Sequence, residues 1–292
     1  MIPLDPQKVQ LENGRILAYT QFGDPEGTPV FFFHGWPGAR LQGAATDAAG
    51  KTLGVRIIAV DRPGFGCSDF QPNRALLDWP DDISALASKL NISQFKVLGL
   101  SGGGPYALAC AYKLPPEQLT GTAIVCAVGP SDTAEEVASF AEEHQKIIGI
   151  IRKAPWLMRI IFWNTVRKRN KDMVKAMDGL IATLPEPDQI ALSDPEAKPM
   201  LIASATDSFS PGVKGHTFEM QLFASPWHFS YEEITAPVQL WHGEADSVIS
   251  IDVSKRASKR LPNNQVEYFT DEGHYSLLLN QAELILSRLI AT

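Results

Sequence analysis

Ser101 stands between glycines in Gly99-Leu100-Ser101-Gly102-Gly103, directly after the apolar run Phe95-Lys96-Val97-Leu98 and before Pro105-Tyr106-Ala107-Leu108-Ala109. This G-x-S-x-G spacing suits a sharp strand-to-helix turn, in which the serine takes a strained backbone conformation at the tip and glycines omit side chains that would clash. A hydroxyl presented there can attack an acyl carbon, provided that a base takes its proton and an acid holds that base in the right tautomer. In such a site the order along the chain is serine, acid, histidine, so both partners are sought after Ser101. Of the six histidines, His274 is the expected base, because it follows the strand-like Val266-Glu267-Tyr268-Phe269 in Asp271-Glu272-Gly273-His274-Tyr275. His144 lies in a charged helical stretch, His216 and His228 in the middle of the chain, and His242 in a strand turn that suits a structural role. Asp246 leads as the acid, just past the strand-like Pro237-Val238-Gln239-Leu240-Trp241, with Glu244 and Asp132 as alternatives.

A developing oxyanion needs donors fixed in advance, commonly two backbone N–H groups. Gly102, the residue after the nucleophile, supplies one. The run Val30-Phe31-Phe32-Phe33 leads straight into His34-Gly35-Trp36-Pro37-Gly38, where the N–H of Trp36 is placed to be the other. Pro37 stiffens that loop without adding a donor.

The elements that must position these residues follow from the punctuation. Asn13-Gly14 between Val9–Glu12 and Ile16–Tyr19 predicts an opening antiparallel hairpin. Strands ending near Phe33, Val60, Leu100 and Val128 alternate with helical segments around 40–53, 79–90 and 104–113, the pattern of a parallel sheet covered on both faces. After Pro130 the rhythm stops, and until about Phe229 the composition is helical and irregular; it resumes at Ile234 and ends in a helix over Ser276–Leu289.

Taken together, the His-Gly loop, Asp61-Arg62-Pro63-Gly64-Phe65-Gly66-Cys67-Ser68-Asp69, the serine turn, Trp241-His242-Gly243-Glu244-Ala245-Asp246 and Gly273-His274 resemble the α/β-hydrolase superfamily over all of the chain outside its middle. The resemblance implies an α/β, doubly wound, mostly parallel eight-stranded sheet. It also implies a core of residues 1–130 and 229–292, and a helical cap, 131–228, inserted after the sixth strand. Asp61 is read as structural, in a segment that shapes the pocket floor in relatives. Ser101 in place of aspartate argues against dehalogenases and epoxide hydrolases, and Gly102 in place of tryptophan disfavours proline iminopeptidases. The expected activity is that of a serine esterase on small or medium apolar esters, with an iminopeptidase or a non-catalytic ligand-binding relative as alternatives.

The 292 residues, 45% of them hydrophobic, suffice for one full core plus an insert. A net charge of −7 argues against nucleic acid as partner and leaves a small-molecule substrate. No metal-ligand spacing or phosphate loop is present, so no cofactor or metal is expected. Met1 to Pro6 lacks the basic and apolar parts of a secretory signal, and Cys67, Cys110 and Cys126 are scattered, so free thiols in a reducing cytoplasm are expected. Ile147 to Lys171 mixes bulky apolar residues with cations. Pro155 breaks this stretch, which favours helices that line an apolar pocket over one amphipathic helix lying on lipid.

Overall fold

The computed structural model describes residues 5–138, 142–169 and 172–292. Met1 to Leu4 and Lys171, which enter the sequence reading above, lie outside them. The hairpin forms as expected: β1 (Gln7–Gln10) and β2 (Ile16–Gly23) pair antiparallel, and Gly14 takes φ 84° in the turn. Then follow β3 (Thr28–Phe33), α1 (Asp47–Leu53), β4 (Val55–Val60), α2 (Trp79–Lys89), β5 (Phe95–Leu100), α3 (Gly104–Lys113) and β6 (Leu119–Val125).

Seven helices come next among the described residues: α4 (Ala134–Ala138), α5 (Glu142–Lys153), α6 (Pro155–Arg169), α7 (Met173–Ile181), α8 (Glu186–Ala191), α9 (Ala197–Ser208) and α10 (Lys214–Phe223). The chain closes with β7 (Val238–Gly243), α11 (Ile251–Arg260), β8 (Asn264–Phe269) and α12 (Ser276–Ile290). The eight strands make one sheet in the order β1-β2-β4-β3-β5-β6-β7-β8, parallel from β4 to β8, with β2 antiparallel to β4.

Strand β3 shows why its sequence is apolar without alternation. Phe31 and Phe33 pack on one face with Ile58, Trp79 and Tyr106, while Val30 and Phe32 pack on the other with Ile57, Ala59 and Leu286. Both faces are covered, so neither parity is left for polar residues. Each fully buried phenylalanine contributes roughly 1.5–3 kcal/mol relative to exposure.

Strand β6 ends earlier than the sequence suggested, at Val125 and not Val128. Cys126 turns the chain at φ 47°, and Val128 N–H then leaves the sheet to donate to the Ser101 carbonyl (3.1 Å). Cys126 is thus buried, and Ala127 and Val128 half-buried, in a turn beside the serine loop rather than in a strand.

Candidate active site

Ser101 sits at the tip between β5 and the helical turn that leads into α3, with φ 49°. Such a left-handed conformation costs a non-glycine residue on the order of 1–3 kcal/mol. The glycines around it are needed for space: a Cβ on Gly103 would lie 2.1 Å from the Phe33 carbonyl oxygen, and one on Gly99 2.6 Å from the Gly103 oxygen. The turn is thus pressed directly against the end of β3.

His274, after β8, meets Ser101 at the carboxyl edge of the sheet. Its Nε2 accepts from the Ser101 hydroxyl (3.1 Å), and its Nδ1 donates to Asp246 Oδ2 (2.8 Å). The other Asp246 oxygen accepts the N–H groups of Val248 and Ile249, both at 2.8 Å, so the carboxylate is held from two sides. Of the three candidate acids, Asp246 is the one that meets the imidazole, while Glu244 and Asp132 are exposed.

Burial pushes Asp246 toward the neutral form, but the charge and hydrogen bond of His274 outweigh it and leave the pKa below that of an ordinary aspartate. Burial likewise lowers His274, and the Asp246 carboxylate, aided by Asp188, more than offsets it, so the imidazole titrates above an ordinary histidine.

The two expected oxyanion donors are neighbours. A Cβ on Gly102 would come within 3.3 Å of the Trp36 nitrogen. Gly102 opens the helical run into α3, where the first N–H groups have no intrahelical acceptor and the helix dipole adds positive potential. The preceding N–H, of Gly35, is tied to Gln42 Oε1 at 2.7 Å, which fixes the loop from behind.

Asp188, on α8, was missed at the level of sequence. Its buried carboxylate accepts the backbone N–H groups of His274 (3.0 Å), Tyr275 (2.9 Å) and Ser276 (2.8 Å), so it fastens the base's loop and caps α12. It also explains the glycine before the base, because a Cβ on Gly273 would stand 2.5 Å from Asp188 Oδ1. Only the glycine pointed to this contact, and nothing near it in sequence named the partner.

Asp61 has the structural role expected. Fully buried, it accepts from Arg40 N (2.7 Å), Arg40 Nη1 (2.9 Å) and Cys67 N (2.9 Å), and burial, opposed by Arg40, pushes its pKa up to about 6. The expectation that residues 61–69 floor the pocket is corrected: none of them lines the main cavity. Arg62 turns away from it to make a bidentate pair with Glu219 of α10 (2.7 and 2.9 Å), while Tyr106 donates to the same carboxylate (2.7 Å). The segment therefore ties the sheet to the helical insert.

The main cavity, about 410 Å³, opens over Ser101 and His274. Ile148 and Ile151 of α5, Met177 of α7, Met200 of α9 and Met220 of α10 are among its walls, and among the described residues no Asp, Glu, Lys or Arg lines it. The expectation that the apolar residues of the Ile147 to Lys171 stretch line this space holds only for Ile147, Ile148 and Ile151 of α5. Trp156, Leu157, Ile160, Ile161 and Trp163 of α6 are exposed, because α6 starts anew at Pro155 and buries Met158 and Val166 instead.

Among the described residues one group of possible metal ligands occurs, Cys126, Asp246 and His274. Both imidazole nitrogens are already engaged and burial keeps the Cys126 thiol protonated, so this donor set suits a proton path and not a cation. The three cysteines are free, as expected.

The chain is 22% identical over 261 residues to a bifunctional esterase/perhydrolase of Acinetobacter calcoaceticus, covering 88% of each. It is 30% identical over 139 residues to a proline iminopeptidase of Neisseria gonorrhoeae, covering 45% of this chain and 44% of that one. It spans less than half the length of several of the curated relatives that it matches. An esterase structure from Exiguobacterium antarcticum superposes with a TM-score of 0.72 at 18% identity, covering 98% of both chains. The sequence profile described as alpha/beta hydrolase fold matches residues 28–281, from the first residue of β3 into α12. With that profile running through every parallel strand and both ends of the site, the chain belongs to the alpha/beta hydrolase family.

Proposed function

We propose that this hydrolase is a serine esterase that cleaves small to medium apolar carboxylic esters through an acyl-enzyme. The observation that carries the reading is the hydrogen-bonded row Ser101–His274–Asp246 at the floor of a cavity that no Asp, Glu, Lys or Arg lines among the described residues. Ser101 Oγ adds to the acyl carbon as its proton passes to His274 Nε2, and the N–H groups of Trp36 and Gly102 receive the oxyanion. Collapse expels the alcohol, which takes the proton from His274. Water, deprotonated by the same nitrogen, then releases the acid and restores Ser101. Asp246 holds the tautomer and stabilises the imidazolium. The helical insert acts as a cap that closes the acyl pocket, and the free thiols suit a reducing, cytoplasmic setting.

The iminopeptidase reading is disfavoured by the same cavity. A free substrate ammonium brought there would lose its hydration with no carboxylate among the described lining residues to pair with, at a cost of several kcal/mol. A series of p-nitrophenyl esters of increasing acyl length, run beside prolyl p-nitroanilide, tests this. Each added methylene contributes roughly 0.8 kcal/mol, so kcat/KM is expected to rise about fourfold per step until the pocket is full and then to fall. Turnover of the anilide above that of every ester would overturn the ester reading.

Asp188 enters this reaction as a positioning residue. Asp188→Asn turns one acceptor of the His274 loop into a donor facing an N–H, and it removes a negative charge that raises the imidazole pKa. kcat is expected to fall about tenfold, or roughly 1.4 kcal/mol, with KM little changed. The base must be neutral to work, so activity appears as pH rises through the His274 pKa; in the variant that acidic limb moves to lower pH. A purely structural role for Asp188 would lower stability and leave the limb in place.

A further inference from the structure

Helix α6 is apolar on two sides, and only one of them has a use in the site. Its inner side packs Phe162 against Trp36, with ring centroids 5.5 Å apart, and against Phe209 at 5.9 Å, while Met158 and Val166 are buried. On the outer side Trp156, Ile160 and Trp163 follow one another at i, i+4 and i+7, which is a single helical stripe, and they are 67%, 51% and 49% exposed. Leu157 beside it and Ile150 of α5 are exposed as well. Isolated surface apolar residues are ordinary, but a contiguous stripe that carries two tryptophans marks a contact surface.

The charges around the stripe indicate what covers it. From Ile151 through Lys171 the sequence has seven Lys and Arg residues and no Asp or Glu, in a chain whose net charge is −7. Arg152 is spent internally, donating to the Ala224 carbonyl (2.8 Å) and to Ser131 Oγ (3.2 Å). Lys153, Arg159 and Arg167 are exposed, and the Arg167 guanidinium lies over the Trp163 ring at 5.2 Å.

We propose that the outer face of α6 docks on an anionic lipid surface. Tryptophan rings suit the headgroup layer, the aliphatic side chains enter the acyl boundary, and the long cationic side chains reach lipid phosphates while their stems cover apolar surface. A second copy of the chain fits this face poorly. Two-fold pairing would set the cations of one α6 against those of the other and bury them without acids from the same helix. No helix among the described residues is long and apolar enough to cross a membrane, so the contact is peripheral. Docking also reaches the catalytic side of the molecule, because Phe162 of the same helix stacks on Trp36, the residue whose N–H faces the nucleophile's turn. The proposal stands on the surface alone and its test reads binding, so it can fail while the ester reading stands, and the reverse.

The experiment is flotation of the full chain with vesicles of phosphatidylcholine alone, and with about a third of the lipid as phosphatidylglycerol, at low and at high salt. The protein is expected to float with the anionic vesicles at low salt, to release as salt rises, and to stay behind with phosphatidylcholine. Arg159→Ala is expected to lower partitioning about fivefold, the effect of one cation near a charged surface. The double variant Trp156→Ala with Trp163→Ala is expected to lower it at least tenfold by removing both ring anchors. Both variants should keep kcat/KM on a short dissolved ester within about twofold, since none of the three side chains lines the cavity; that rate also reports a folded protein. Absence of flotation with anionic vesicles at low salt, or flotation unaffected by the double variant, overturns the proposal. So does a dimer, seen by light scattering at working concentration, that the double variant abolishes, because that outcome assigns the face to a second copy.

Discussion

Ser101→Ala is expected to remove ester turnover while the protein stays folded. The hydroxyl is the only group at this tip that can form the acyl bond, and its loss also leaves His274 without a proton to take. In an enzyme of this chemistry, loss of the nucleophile costs on the order of 10⁶ in kcat, close to the cost of losing the whole triad. The fold should tolerate the change. The contact that fastens the turn, Val128 N–H to the Ser101 carbonyl, is backbone to backbone, and alanine is no larger than serine in the space beside Gly35. Turnover, circular dichroism and labelling by a fluorophosphonate, followed by peptide mapping, check this together. Turnover above about one per cent of the wild type, with label on another serine, would show that the nucleophile lies elsewhere.

Asp246→Asn is expected to lower kcat by about 10⁴, the scale of that change in a serine protease triad. The structure indicates how the amide will sit. Oδ1 accepts two backbone N–H groups, so the amide oxygen stays there and the NH₂ group turns to His274 Nδ1. Nδ1 must then accept, Nε2 carries the proton, and the imidazole can no longer act as a base toward Ser101. The lost carboxylate is also the first of the influences that raise the His274 pKa against burial. What activity remains should therefore begin at lower pH than in the wild type, because less alkaline conditions suffice to deprotonate the imidazole. Asp132→Asn is the comparison: that side chain is exposed, and its loss should change kcat less than about twofold. A reversed pair of results would place the acid after β6.

The parts of the site that were legible in the sequence are those set by local geometry. A serine at a tight strand-to-helix turn needs small neighbours, and Gly99 and Gly103 are glycine because backbone atoms of β3 and of the turn itself occupy the Cβ positions. The His-Gly loop, the Asp246 turn and Gly273-His274 each follow a strand by a few residues, so the carboxyl edge of a parallel sheet gathers them whatever lies between. The choice among Asp246, Glu244 and Asp132 was not local. Three carboxylates can follow strands, and only the position of the β8 loop beside β7 selects one of them.

Residues of the helical insert were illegible for a related reason. Asp188 reads as an ordinary acid in the first turn of a short helix, yet it serves the N-terminus of another helix 88 residues away. Its meaning exists only once α8 lies on α12. Helix α6 carries apolar residues around most of its circumference, so periodicity could not say which side faces protein. Packing chose Met158, Phe162 and Val166 for the inside and left Trp156, Ile160 and Trp163 in solvent. Sequence alone thus determined the candidate residues Ser101, His274 and the two loops that meet them, their order along the chain and the parallel sheet that collects them, because turns, caps and strand ends are written within a few residues. Which acid meets His274, what fastens its loop and which face of the insert meets the outside were decided by the tertiary structure, since each depends on surfaces brought together from distant parts of the chain.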